Sequence, residues 1–232
     1  MKLLRVALVV SLALLVGLAV VGDVVARRTA QGVLADQARA ELGTRPTVDI
    51  VGFPFLTQAV RGRYDEIRVS APQVDRAGVS LRQFRAHLTG VRVPLSEVLH
   101  GSVPAVSIDR LEVTALVPYG ELAAAAGGRV LVLGPAADGV RVDATVRVLG
   151  RDVAVTAESA LQLDGDTVTV TARRLLVGGT QAGGVQATAL RGRLDLRVRL
   201  SDLPYGVTLT AVQPGADGVT VSAQARGTVL GR

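Results

Sequence analysis

His87 and His100 are the only imidazoles of the chain, so a metal centre or a proton relay would have to be built on them. A zinc site takes three or four ligands at short spacing. Here no HxH or HxxxH pair occurs, and cysteine is absent. The lack of cysteine also removes disulfides and thiol nucleophiles. Ser96 and Ser102 flank His100, but neither lies in a G-x-S-x-G elbow, and no neighbouring motif would orient the ring as a triad requires. Asp164 and Asp166 flank one glycine, a pattern that suits a hairpin turn better than acid/base chemistry. GGTQAGG, Gly178 to Gly184, has the composition of a phosphate loop without its Lys-Ser/Thr end or following helix, and reads as a flexible connection. The sequence therefore predicts no catalytic residue, no metal ligand and no cofactor, and a protein that is not an enzyme.

Binding chemistry needs other residues. VGFPFLTQAVRGRYDE, Val51 to Glu66, gathers two of the chain's three Phe and one of its three Tyr. Phe53 and Phe55 stand on either side of Pro54, and Tyr64 follows. Proline donates no ladder hydrogen bond, so Pro54 turns the chain out of a central strand. Strand alternation then sets Leu56 on the face opposite Phe55. Two aromatics at a bend either gate an apolar cleft, dip into a membrane surface, or plug an ordinary core. Arg61 and Arg63 flank Gly62. A guanidinium fork fits phosphate oxygens, although both residues also read as solvated strand positions.

The elements around this stretch follow from periodicity. Val25, Thr29, Val33, Leu34, Ala38 and Leu42 recur at three- and four-residue spacing, which predicts a helix from Asp23 to Gly43 with those residues inward. Pro46 prevents its continuation. Beyond Pro46 the period is two. Leu81, Gln83, Arg85, His87 and Thr89 share one strand face, and Arg82, Phe84, Ala86 and Leu88 the other. Val140, Val142, Ala144, Val146 and Val148 oppose Arg141, Asp143, Thr145 and Arg147. LGRD, DGD and PGADG read as turns, and two short helices are predicted over Pro94–Gly101 and Pro118–Gly128. The expected fold is α+β, a strongly curved antiparallel sheet wrapped around a long N-terminal helix.

Hydrophobic residues make up 49% of the chain but aromatics only 3%, so its core must be Val, Leu and Ala. The net charge of +6 comes from arginines scattered among acids, with Lys2 the sole lysine. No basic helix and no basic-aromatic run points to nucleic acid. At the amino terminus, Lys2 and Arg5 precede a run without charge from Val6 to Gly22. Its 17 residues meet the lower limit for a spanning helix and exceed the roughly 7–15 of a signal-peptide core. The length favours a retained anchor over a signal cleaved near Val24-Val25-Ala26. Two regions are thus expected: residues 1–22 as anchor or signal, and residues 23–232 as an exported domain, soluble without the anchor, at the outer face of the cytoplasmic membrane.

The motifs then combine. A membrane-proximal helix is followed by VDIVGFPFLTQAVRGRYDEIRVSAPQV, then VPYGELAAAA, then LPYGVTLTAVQPGADGVTVSAQA. This resembles the LmeA-like phospholipid-binding family of actinobacterial envelope proteins, from Asp23 to the C-terminus. The run Gly52 to Gln58, with Gly62 and Tyr64, is the most specific element. The resemblance implies a tubular lipid-binding type of fold, phospholipid as partner, and a part in building envelope lipoglycans. It brings no catalytic residue. On that reading Phe53, Phe55, Leu56 and Tyr64 face lipid, and Arg61 and Arg63 meet the headgroup. Burying acyl chains contributes about 0.8 kcal/mol per CH2, so a cleft of Val, Leu and Ala needs no special motif. The alternatives are an envelope scaffold without ligand, or an enzyme acting on lipid-linked glycans.

Overall fold

A computed structural model describes residues 2–76, 79–93, 106–125, 131–136, 139–148, 151–165, 167–183, 196–199 and 206–230, with residues 2–12 given by backbone alone. The chain opens with one continuous helix, α1 (Lys2–Leu42). No proline interrupts the sequence before Pro46, and Gly43, at φ 72°, ends the helix with its N–H donating to the Arg39 carbonyl at 3.0 Å. The inward face differs from the one expected. Val25, Thr29, Val33 and Leu34 are exposed, while Asp23 and Ala35 are buried and Ala38 and Leu42 half-buried. Apolar residues lie all round this helix, so their spacing selects no face, and the small side chains are the ones that allow close packing. Among the described residues no helix is long and apolar enough to cross a membrane. The described side chains begin midway along Val6–Gly22, so the length of that run is a property of the sequence alone.

Twelve described strands follow, mostly antiparallel: β1 (Thr47–Val51), β2 (Arg63–Arg76), β3 (Val79–Arg92), β4 (Val106–Pro118), β5 (Leu131–Ala136), β6 (Gly139–Val148), β7 (Arg151–Asp164), β8 (Thr167–Val177), β9 (Thr180–Gln181), β10 (Leu196–Arg199), β11 (Thr208–Pro214) and β12 (Gly218–Leu230). Two further helices are described, α2 (Phe55–Arg61) and α3 (Tyr119–Ala125). The predicted helix over Pro94–Gly101, with Ser96, His100 and Ser102, lies outside the described residues.

The single curved sheet of the sequence reading is replaced by two sheets. One has the order β1-β2-β3-β4-β12-β11; the other runs β10-β8-β7-β6-β5, with β9 beside β8. The chain leaves the first sheet after β4 and returns only at β11, so the middle strands pair among themselves. Neither sheet closes into a barrel. The α+β class stands.

The chain divides into two units. The first comprises Met1–Ser70, His87–Leu111 and Gly227–Arg232; the second comprises Ala71–Ala86 and Glu112–Arg226. In the first, β1 alternates with Val48 and Ile50 buried, and pairs with β2 from Thr47↔Ser70 to Val51↔Glu66. Val91, Ile108 and Leu111 extend its buried set. Full burial of one such side chain contributes roughly 1.5–3 kcal/mol. On β3, Arg85, His87 and Thr89 are exposed as alternation predicts, and Ala86 is buried. Arg82 is exposed as well, against prediction, next to Gln83 at φ 50°; a positive φ there breaks the two-residue period.

In the second unit Val140, Val142, Val155, Ala157, Ala172 and Leu175 form the buried cluster, joined by Tyr119 and Val219. Val140, Val142 and Ala144 are buried, in line with the alternation read for β6; Val146 and Val148 lie outside the described side chains. Tyr119 opens α3 and donates its hydroxyl to the Gly215 carbonyl at 2.8 Å, fixing the helix to the β11–β12 turn. The described start of GGTQAGG is a hairpin turn and a short strand rather than a flexible connection, and Gly184 lies outside the described residues. Gly178 and Gly179, at φ 57° and 83°, join β8 to β9 through the pair Val177↔Thr180. Two consecutive positive φ angles match the twist of a two-residue hairpin.

Candidate functional site

The stretch singled out in the sequence folds as a corner of the first unit, and its middle is a helix rather than a continuing strand. Gly52 (φ 116°) ends β1, the Phe53–Pro54 peptide is cis, and α2 runs from Phe55 to Arg61. Pro54 occupies the N-cap position and supplies no side-chain cap. The first turn of a helix leaves N–H groups without intrahelical partners. Here Asp23 of α1 meets two of them. One carboxylate oxygen accepts from the Phe55 N–H at 3.0 Å and the other from the Leu56 N–H at 2.7 Å. Asp23 is 3% exposed. A carboxylate just past the uncharged run of α1 thus becomes the cap of a second helix 32 residues away.

Gln58 closes the inner side. It is buried, its carbonyl oxygen accepts from the Asp65 N–H at 3.1 Å, and its amide donates toward the Val51 carbonyl at 3.5 Å. A side chain at position 52 would run into this amide, so glycine is required there by space as well as by φ. Gly62, at φ 61°, returns its N–H to the Ala59 carbonyl at 3.1 Å, and its own carbonyl accepts from the Val93 N–H at 2.9 Å. The corner is therefore held at both ends of α2.

The six residues expected to meet lipid separate into two groups. Phe55 is 5% exposed and packs on half-buried Tyr64, ring centroids 6.2 Å apart at 32°. Burial pushes the Tyr64 phenol above its usual range. These two form the inner wall. Phe53 (65% exposed), Leu56 (46% exposed), Arg61 and Arg63 face outward. Leu56 is opposite Phe55 because α2 is amphipathic, not by strand alternation. Leu56, Thr57, Val60 and Arg61 line an open groove of about 310 Å3. Its lining is mainly apolar, with Thr57 and Arg61 as the polar members. Arg63 does not line it, and Phe53 stands free just before the helix.

Sequence reasoning missed Asp23, Gln58 and Val60. Asp23 carried a signal, being the first acidic residue of the chain and directly after the uncharged run Val6–Gly22. Gln58 and Val60 carried one only if Phe55–Arg61 is read with a helical period.

On α1, Leu14, Leu15, Val16, Leu18, Val20 and Val21 are all exposed, so from Leu14 to Val21 the helix is apolar on every side and covered on none. From Asp23 onward one face packs on β1 and α2. Helices apolar all round occur in large cores or in lipid.

In the second unit a groove of about 270 Å3 crosses β4, β11 and β12, with Thr114, Thr210, Ser222 and Gln224 in its lining. Thr210 sits at a bulge, where the β11–β12 register shifts between Leu209 and Ala211. Hydroxyl and amide groups dominate there, which suits no acyl chain. His87 is exposed, and among the described residues no three His, Asp or Glu gather as metal ligands would.

A corner of exposed apolar side chains bordered by arginines, on an α+β scaffold without an assembled catalytic group among its described residues, has the chemistry of an amphiphile-binding protein. The profile of the LmeA-like phospholipid-binding family matches residues 20–224, and the chain belongs to that family. No curated protein and no solved structure is a significant match.

Proposed function

We propose that the protein binds phospholipid while anchored at the outer face of the cytoplasmic membrane. There it handles lipid or lipid-linked precursors during assembly of envelope lipoglycans. The family match over 20–224 carries this reading. The N-terminal run supports export and anchoring, with Lys2 and Arg5 on the cytoplasmic side. The groove on α2 would take part of an acyl chain, and Arg61 or Arg63 the phosphate. At about 310 Å3 it lies at the lower end of small-molecule pockets, roughly 300–1,000 Å3, so it would hold one segment of a lipid rather than a whole diacyl molecule. A sheet curving around α1 to lengthen that cleft belongs to this proposal. The same small volume favours the rival reading, an envelope scaffold whose apolar surfaces only pack.

Flotation of residues 23–232 with liposomes separates the two. The chain is expected to float with anionic phospholipid vesicles, more weakly with neutral ones, and less after Arg61→Gln with Arg63→Gln. A folded chain that floats with neither vesicle supports the scaffold and removes the lipid-binding reading.

A further inference from the structure

We propose that α2, together with the Phe53 turn before it, is a foot that rests in the interfacial layer of an anionic phospholipid membrane, at the level where α1 leaves the bilayer. The inference rests on the anchored reading above and adds the element that touches the membrane and its depth. Three observations carry it. First, from Leu14 to Val21 α1 is exposed on all sides and apolar, and Asp23 is the first buried residue after that stretch. The body of the protein therefore begins where the run without charge ends. Second, α2 is tied to that point. Asp23 accepts from the first two N–H groups of α2 at 3.0 and 2.7 Å, so Phe55 and Leu56 lie within one side chain's reach of residue 23. At a rise of about 1.5 Å per residue, Asp23 itself lies a single step beyond Gly22, the end of the uncharged run.

Third, the exposed chemistry there is that of an interface. Away from α1, five large hydrophobic side chains are exposed among the described residues, and three of them, Phe53, Leu56 and Val60, are on this turn and helix. Leu56 and Val60 are four apart, on one face of α2. Scattered single exposures such as Val132 and Val229 are ordinary, whereas a cluster marks a contact. Arg27 and Arg28 follow on α1, Arg61 ends α2 and Arg63 opens β2. Long cationic side chains lay their stems on apolar surface and reach phosphate with the head. A seven-residue helix with this composition would lie in the plane, about 5–10 Å deep, rather than cross.

The chain has no cysteine, so single-cysteine labelling is unambiguous. Phe53→Cys, Leu56→Cys and Val60→Cys, each in the full chain in anionic liposomes, would carry a polarity-sensitive dye, with Val16→Cys and Val132→Cys as references. Quenchers are placed in water, near the headgroup, and at mid-chain. The expected result is loss of most α2 emission to the headgroup quencher and little to the aqueous one. Val16 should be quenched from mid-chain and Val132 from water. If Val16 behaves so but the α2 probes are quenched from water, the foot is overturned and the anchor stands. If the α2 probes respond to the headgroup quencher while Val16 responds to water, α2 touches the membrane but the anchor falls, and the foot's place at the bilayer exit of α1 is overturned with it. If both respond to water, both fall. Probes on α2 shielded from every quencher would assign the surface to a protein contact and overturn the foot.

Discussion

Asp23→Ala is expected to lower folding stability by about 2–4 kcal/mol, a large share of a marginal total. The loss follows from two hydrogen bonds to a buried carboxylate, each ordinarily worth roughly 1.5–3 kcal/mol when the acceptor is charged. Their sum is not the expectation, because truncation also removes the cost of keeping a charge out of water. What remains is the cost of two N–H groups left at the start of α2 with no acceptor, since Pro54 offers none. Asp23→Asn keeps one good acceptor and should lose about half as much. Urea midpoints at unchanged slope give the comparison. A shift within about 0.5 kcal/mol for Asp23→Ala, the range of an ordinary surface substitution, would mean that α1 does not hold α2.

Phe55→Ala and Phe53→Ala should fail in opposite ways, although the two residues flank the same proline. Phe55 is enclosed between α2 and Tyr64, and its truncation should cost about 3–5 kcal/mol of stability with phospholipid binding per folded molecule unchanged. Phe53 is 65% exposed, and its truncation should leave stability within about 0.5 kcal/mol. If its ring is buried in lipid, the variant loses up to roughly 1.5–3 kcal/mol of contact, on the order of a tenfold or greater fall in vesicle affinity. A denaturant midpoint and a vesicle titration on each variant decide the matter. Unchanged vesicle affinity for Phe53→Ala would show that the exposed ring has no part in binding, and an intact midpoint for Phe55→Ala would contradict its place in the core.

The sequence was most informative where one physical rule acts alone. Strand β6 shows its alternation because one face is buried and the other wet, so Val140, Val142 and Ala144 could be placed in advance. PGADG is legible for the same local reason: β11 passes to β12 across just those residues. On α1 the rule fails. Its apolar residues surround the axis, and the packed side is chosen by what lies against it, so Ala35 is buried while Val33 is exposed. At the aromatic corner the sequence predicts a strand bent at Pro54, with a period of two beyond it. A seven-residue helix shows too few turns to establish its own period, and the cap that stabilises it comes from Asp23, far away in the chain. The six residues expected to meet lipid lie near one corner, but only helical geometry shows that Phe55 and Tyr64 support it from within while Phe53, Leu56 and Arg61 face out. The division into two sheets depends on long-range pairing, which no local pattern encodes.

Lipid bound to residues 23–232, purified without detergent and analysed by mass spectrometry after organic extraction, tests phospholipid binding most directly. The account predicts phospholipid in near-stoichiometric amount, lost in Phe53→Ala with Leu56→Ala and retained in Val132→Ala. A folded, lipid-free chain that also fails to take up added phospholipid would contradict it.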